Sequence, residues 1–435
     1  MSRKASTPEF VIAAVLAAFV IAGIAVDRSA HDGGSDTATA GARAATAMVE
    51  RIARRVETIR SLRFKHLPKP VIVTAAQTRA TDLREYDRVI EPARRRAAAQ
   101  VLELLGLLEP GTDLRQVESD VAGGQVAGYY DPRHKQLAIV AGHLAGNSAT
   151  SEIALAHELD HALDDQRIGL KQLASSGADD SASAYTALIE GVATSVMDDY
   201  AQRYIDPGAA LGAVFSASQS SVSEQKIPRY LLASILFSYV RGEDFVDRLR
   251  EVAHGWKLVN YALRSRPPRS TEQVIHPDKY FADERPVPVA LGGVRALMPA
   301  AWHQLAHGTI GEFDTDQLLR LGVSNALAAD AAGGWGGGAY ALWGPSGADC
   351  PSPCRKQSAL VLAWAWDSDL DAIHFNEALR EYVAKGLKGR AAGAGVWSVD
   401  DGFAAVATRP PLRSSLALAP SAGLARRLAS GALGR

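Results

Sequence analysis

The stretch SEIALAHELDHALDDQR, residues 151–167, carries two histidines four positions apart, with a glutamate directly after the first. Apolar residues recur along it at three- and four-residue intervals and Gly169 follows, which predicts a helix that ends there. Residues four apart lie on one face of a helix, so the imidazoles of His157 and His161 can reach the same ion. The spacing therefore predicts that His157 and His161 bind Zn²⁺.

Glu158 follows His157 and lies about 100° further round the helix. That angle keeps its carboxylate off the metal but within reach of a water that the metal holds. A catalytic zinc lowers the pKa of its water to about 7, and a neighbouring carboxylate can then remove the proton. We therefore expect Glu158 to be the general base of a hydrolytic site.

A tetrahedral catalytic zinc needs a third protein ligand, and the best candidate in the sequence is Glu190. It lies in ALIEGVAT, residues 187–194, where its neighbours one helical turn away are small and uncharged. A carboxylate on such a face is enclosed, so it needs a proton, a partner or a metal. Gly191 would also allow another backbone to come close.

Four aspartates are alternative members of the site. Asp165 follows His161 by four residues and could be the third ligand, or could accept a hydrogen bond from an imidazole N–H. The second of these roles is also open to Asp164, Asp198 and Asp199.

The composition limits the class of protein. The chain has 435 residues, which is long enough for two domains, and 47 Lys and Arg stand against 48 Asp and Glu. The net charge is therefore −1, and without a basic surplus we expect no nucleic-acid partner. The two cysteines, Cys350 and Cys354, are too few for a disulfide framework or a cysteine-built zinc module, and their spacing predicts a local disulfide.

The N-terminal residues indicate export. Arg3 and Lys4 precede an uncharged apolar run from Phe10 to Val26, which has the layout of a signal sequence and suffices to span a membrane. We expect residues 1–27 to form a signal anchor or a cleaved signal peptide, and residues 28–41 to form a flexible linker. The rest of the chain would lie outside the cytoplasm, held at the membrane by the apolar segment or secreted.

The remaining pattern predicts an α+β fold with a catalytic domain over residues 42–290 and a smaller C-terminal α/β domain over residues 291–435. The glycine-rich run at 333–338 is expected to be a flexible turn. The predicted helices are 42–63, 87–107, 151–167, 184–204 and 371–385. The predicted strands are 70–74, a hairpin over 126–140, 360–366 and 403–408.

With HELDH at 157–161 and EGVA at 190–193, the chain resembles the zincin metallopeptidases of the gluzincin kind. This resemblance implies a zincin-like catalytic domain in which a later helix supplies the glutamate ligand. It also implies a β-hairpin before the HExxH helix, whose edge strand pairs with an extended peptide. Residues 126–140 fit that hairpin, with residues 137–140 as the edge strand. The gap from His161 to Glu190 is longer than in thermolysin-like enzymes, and their NExxSD pattern is absent.

A second resemblance is to a group of bacterial exported proteins that share HELxHALxDQ, EGxAT and STEQxxHPxKY. In this chain the three patterns occupy residues 157–166, 190–194 and 270–280. Together the two resemblances cover roughly residues 120–280.

Hydrolysis of a peptide bond also needs a donor that stabilises the oxyanion. His276 is the first candidate, because Pro277 makes its loop rigid, and Tyr239 is the second. The sequence thus favours an exported metalloprotease with one Zn²⁺ per chain, acting on a peptide or protein substrate. Two alternatives stay open: a zinc hydrolase of cell-wall peptide amides, and a catalytically inactive zincin-fold binding scaffold, against which the intact Glu158 argues.

Overall fold

The computed structural model describes residues 35–117, 119, 128–141, 149–170, 179–207, 227–291, 293–345, 350–409 and 412–434. The apolar segment predicted over residues 1–27 lies outside this part of the chain. Within it, no helix is both long enough and apolar enough to cross a membrane. The first helix, α1 (Ser35–Arg60), begins inside the predicted linker, which corrects that prediction for residues 35–41. The alanine-rich stretch that follows, residues 42–47, favours a helix, and the helix extends from it back to Ser35.

The α+β class is confirmed, because helices dominate the chain up to residue 281 and a large antiparallel sheet follows. The other elements of the first part are β1 (Pro70–Val73), α2 (Ala75–Val89), α3 (Pro92–Leu104), β2 (Gly128–Asp131), β3 (Gln136–Val140), α4 (Ala149–Arg167), α5 (Asp180–Tyr204), α6 (Arg229–Leu236), a π-helical turn (Phe237–Arg241), α7 (Gly242–Ala253), α8 (Lys257–Arg264), α9 (Thr271–Ile275) and α10 (Pro277–Phe281).

The second part is built on seven antiparallel strands in the order β4-β5-β6-β10-β9-β8-β7. Its elements are β4 (His303–Gly308), α11 (Glu312–Leu319), α12 (Asn325–Ala332), β5 (Trp335–Gly344), β6 (Ala359–Trp366), α13 (Asp369–Glu381), a π-helical turn (Tyr382–Gly386), β7 (Arg390–Gly393), β8 (Val396–Val399), β9 (Gly402–Arg409), β10 (Arg413–Ala419) and α14 (Ala422–Ala432), with short 3₁₀ turns at Arg295–Leu297 and Arg355–Gln357.

The predicted hairpin forms the small sheet, but its edge is not the predicted one. β3 lies in the middle of the order β1-β3-β2, paired with β2 in the antiparallel sense and with β1 in the parallel sense. Residues 137–140 therefore do not offer a free edge, because β1, which precedes β3 by more than sixty residues, occupies it. Among the described strands β2 has one neighbour, and its other edge faces α4, which carries the two histidines.

The helix predicted over residues 87–107 is two helices, α2 and α3. Pro92 is the first residue of α3 and has no N–H to continue a helix, and its ring disfavours helical geometry in the residue before it. The end of α3 packs through Val101 and Leu104 into the core of the seven-stranded sheet. The sheet therefore takes part of its core from inside the predicted 42–290 domain, which corrects that boundary.

The glycine-rich run is a turn only at residues 333–334, and from residue 335 onward it is buried strand. Residues 335–338 begin β5, where other backbone segments come too close to leave room for a side chain. A Cβ on Gly337 would lie 2.2 Å from the carbonyl oxygen of Val287, and one on Gly338 would lie 2.3 Å from that of Ile310. The predicted local disulfide is present, joining Cys350 to Cys354 with their Cα atoms 5.3 Å apart.

Candidate metal centre

Helices α4 and α5 bring three predicted ligands together. His157 Nε2 lies 3.0 Å from His161 Nε2 and 3.2 Å from Glu190 Oε2, and His161 Nε2 lies 3.7 Å from the same oxygen. The two histidines are one turn apart on α4, and Glu190 projects from α5, which packs along α4. This arrangement is the one that the sequence predicted for a metal site.

Gly191 explains how α5 reaches its position. A Cβ at Gly191 would lie 2.1 Å from the carbonyl carbon of Gly242, and a Cβ at Gly242 would lie 2.0 Å from the carbonyl oxygen of Ala187. The backbones of α5 and α7 therefore touch at a pair of glycines, one turn or less from Glu190. The close approach that Gly191 was expected to allow is confirmed.

The same crossing brings Tyr239 into the site. Tyr239 lies in the π-helical turn directly before α7, and its ring stacks on the imidazole of His157 with the centroids 5.7 Å apart and the planes 18° apart. Burial, and then the Glu190 and Glu158 carboxylates, raise the pKa of the Tyr239 phenol, which also donates a hydrogen bond to Glu190. A phenol that stays protonated remains a hydrogen-bond donor at the site.

The electrostatics of the three residues favour a cation. Burial alone would disfavour charge on Glu190, but the two imidazoles outweigh it and lower the pKa of that carboxylate. Burial likewise opposes protonation of His161, yet the Glu190 carboxylate raises the pKa of this imidazole to about 9. In the described part of the chain Glu190 forms ion pairs with these histidines and with no lysine or arginine. One carboxylate and two imidazoles thus converge without a competing side-chain cation.

The donor set fits a metal ion. One ligand atom from each of His157, His161 and Glu190 lies within 4.8 Å of the other two. A second group with this property, formed by Glu272, Glu284 and Asp367, is already occupied by the ammonium of Lys279, which binds all three carboxylates. The histidine-containing group is therefore the stronger candidate among the described residues.

Glu158 lies beside this group and is fixed by the hairpin. Its Oε2 accepts a hydrogen bond of 2.9 Å from the backbone N–H of Tyr130 in β2. Burial raises the pKa of this carboxyl, against the lowering effects of the two histidines and of the Tyr130 N–H. A base with a raised pKa holds a transferred proton better, which suits proton transfer near neutral pH.

Asp165 is placed away from the ligand atoms. Its carboxylate accepts hydrogen bonds of 2.6 Å from both the Tyr130 phenol and the Lys135 ammonium. The acceptor that lies at His157 Nδ1 is instead the sulfur of Met197, at 3.1 Å. Sequence reasoning missed both Tyr130 and Met197, because neither a backbone N–H nor a thioether carries a residue-type signal.

Two of the other three aspartates, Asp164 and Asp199, form ion pairs. Asp164 lies 2.7 Å from the guanidinium of Arg60, which also binds Asp160, and Asp199 pairs with Arg203 and Arg250. Asp198 is near other acidic residues, and burial raises its pKa to about 6. Arg60 is completely buried and stacks on Trp256, so α1 fastens α4 from the side opposite the hairpin.

His276 is not brought to the three ligands. Its Nε2 lies 2.8 Å from Glu312 Oε1 in α11, at the junction of α9 and α10. The rest of the 270–280 pattern is used structurally: Ser270 caps α9, Thr271 binds Asp180 at the start of α5, and Tyr280 donates to the Arg266 carbonyl. This pattern joins the helical part to the sheet.

Comparison with known proteins adds little about the site. Residues 299–415 match a family described as a domain of unknown function, DUF8575, which covers the sheet from β4 to the start of β10 and includes none of His157, Glu158, His161 and Glu190. No curated protein matches the chain. Among solved structures, the chain is similar to a proposed hydrolase with a novel fold from Chloroflexus aurantiacus, with 17% identity, a TM-score of 0.37 and coverage of 62% of this chain and 97% of that one. A similarity of that degree carries no argument about activity.

Proposed function

We propose that the protein is a zinc-dependent hydrolase of peptide bonds that works outside the cytoplasm. The observation that carries the proposal is the convergence of His157, His161 and Glu190 next to a half-buried glutamate, Glu158, which lies on the same helix as the two histidines. Two imidazoles and one carboxylate form a common donor set of catalytic zinc sites, and it leaves a fourth position for water.

The distances are compatible with a tetrahedral zinc ion. A tetrahedral ion with ligand distances of about 2.0–2.1 Å places its ligand atoms about 3.3 Å from one another. The three separations among His157, His161 and Glu190 are 3.0, 3.2 and 3.7 Å, which bracket that value. When bound, zinc supplies a Lewis acid that makes a water molecule acidic enough to ionise near neutral pH.

The protein's own groups supply the remaining parts of the reaction. Glu158, held by the Tyr130 N–H, is placed to accept a proton from the attacking water and to deliver it to the leaving amine. Tyr239 is protonated and stacked on His157, and it would turn its O–H from Glu190 to the carbonyl oxygen as negative charge develops there. We assign this role to Tyr239 rather than to His276, which pairs with Glu312.

Two further features support the substrate class and the compartment. β2 lies beside Glu158 at the edge of the small sheet, and main-chain groups at a strand edge bind extended peptides, although the Tyr130 N–H is already bonded to Glu158. The Cys350–Cys354 disulfide is the form that cysteines take in oxidising, extracytoplasmic compartments.

The test is cleavage of a mixed peptide library by the zinc-loaded full chain, followed by mass spectrometry, beside the matched variant Glu158→Gln. We expect wild-type cleavage and a loss of at least about a hundredfold in the variant, with zinc content equal in both. Absence of cleavage by a fully zinc-loaded wild type would contradict the proposal and favour the inactive scaffold. Cleavage of cell-wall peptide amides alone would replace the peptide-bond substrate by the amide alternative.

A further inference from the structure

Tyr130 joins the β-hairpin to α4 at two points. Its backbone N–H donates to Glu158 Oε2 at 2.9 Å, and its phenol donates to Asp165 Oδ2 at 2.6 Å. Glu158 and Asp165 are seven residues apart, which places them two turns apart and within about 20° of the same face of a helix. A single residue of β2 is therefore fastened to one face of α4 by both its backbone and its side chain.

The hydrogen bond from the Tyr130 phenol to Asp165 is buried. The Asp165 side chain is 2% exposed, and its carboxylate is also bound by Lys135, whose own side chain is 62% exposed. Burial, and then the hydrogen bond to Asp165, raise the pKa of the Tyr130 phenol well above its usual value, so it remains a donor. The ring packs among buried residues of the hairpin and of α4, including Leu137 and Leu159. The position of Tyr130 is thus determined by packing and by a strong hydrogen bond.

The hydrogen bond from the Tyr130 N–H distinguishes the two oxygens of Glu158. Oε2 is held by the Tyr130 N–H, and within the described residues no hydrogen bond is made to Oε1. A carboxylate held at one oxygen cannot rotate freely, so the other oxygen keeps a fixed direction.

We propose that Asp165 and Tyr130 are positioning residues for the general base: Asp165 anchors the Tyr130 phenol, the Tyr130 N–H holds Glu158 Oε2, and Oε1 is left to take the proton from the attacking water. The proton transfer rests on the proposed function, whereas the anchoring of the hairpin does not. Neither residue touches the three ligands, so their loss should spare metal binding.

The experiment uses the full chain loaded with zinc, in wild type, Tyr130→Phe, Asp165→Ala and the double variant. Amide hydrogen exchange is measured by mass spectrometry on peptides spanning residues 128–131, with Glu158→Ala as the reference for an unprotected Tyr130 N–H. We expect exchange about tenfold faster in both single variants, the order expected for loss of one buried hydrogen bond, and no further change in the double variant. Lys135→Met is the control, and should leave exchange within about twofold of wild type.

Activity and metal content complete the test. We expect kcat to fall about tenfold in Tyr130→Phe and Asp165→Ala, with KM within about twofold and zinc content unchanged. Unchanged exchange in Tyr130→Phe would overturn the anchoring, and faster exchange with an unchanged kcat would overturn its link to the base. If the zinc-loaded wild type cleaves no peptide, the proposed function fails, and the exchange result alone decides whether Asp165 anchors the hairpin.

Discussion

At the scale of single residues, replacement of Tyr239 and replacement of His276 should affect kcat differently. Tyr239 stacks on His157, whereas His276 is paired with Glu312. Because removal of one oxyanion donor costs a factor of about 10²–10³ in kcat, we expect Tyr239→Phe to lose about a hundredfold with KM and zinc content nearly unchanged. His276→Gln, measured by the same steady-state assay, should stay within about twofold. A large loss in His276→Gln and none in Tyr239→Phe would reverse the assignment.

Glu243 makes stability depend on pH. Burial, joined by the nearby Asp198 and Asp247 carboxylates, raises the pKa of Glu243 to about 8. The folded protein therefore holds a proton that the unfolded chain releases above its ordinary pKa of 4.5, so this group's stabilisation is present below that pH and is lost as the pH rises towards 8.

Replacement of Glu243 by glutamine should remove that dependence. We expect Glu243→Gln to change the free energy of unfolding little at pH 5 and to raise it by roughly 2 kcal/mol at pH 8.5. Urea unfolding at the two pH values measures the difference between variant and wild type. An equal effect at both values would show that Glu243 titrates as an ordinary exposed carboxyl.

At the scale of elements, the crossing of α5 over α7 is the contact that sets the site. An alanine methyl at Gly191 would lie 2.1 Å from the carbonyl carbon of Gly242, which is backbone and cannot rotate away. We expect Gly191→Ala to lower the free energy of unfolding by about 3 kcal/mol, as overpacking does. In α14, a methyl at Gly423 would meet only the end of the Arg427 side chain, at 3.6 Å, so Gly423→Ala should be neutral or slightly stabilising. Similar unfolding midpoints in urea for the two variants would contradict the close crossing.

Elements with local signals could be predicted from the sequence, and those set by distant contacts could not. The residues of the HExxH helix and of the Glu190 helix carry their own periodicity, and both helices and all three candidate ligands lie where the pattern placed them. The sequence does not reveal that β1 pairs with β3, since parallel pairing over more than sixty residues leaves no local pattern. The glycines of β5 suggested flexibility, although they are required by the approach of Val287 and Ile310.

At the scale of the whole molecule, the sheet depends on a helix that precedes it by about two hundred residues. Val101 and Leu104 of α3 enter its core, and the buried Tyr382 donates a hydrogen bond of 2.8 Å to the Leu105 carbonyl. A fragment of residues 291–435 would expose the apolar surface that α3 covers, so we expect it to aggregate or to unfold without cooperativity. The same fragment joined to residues 92–108 by a Gly/Ser linker should be monomeric and unfold cooperatively in urea. Cooperative unfolding of the shorter fragment alone would contradict this dependence.

The most direct test of the central claim is the zinc content of the full chain after dialysis, in wild type, Glu190→Gln and Asp165→Asn. The donor atoms of His157, His161 and Glu190 converge, whereas Asp165 is occupied by Tyr130 and Lys135. We predict about one zinc per chain in wild type and in Asp165→Asn, and zinc bound at least tenfold more weakly in Glu190→Gln. A wild type without zinc, or Glu190→Gln with undiminished affinity, would contradict the proposed metal centre.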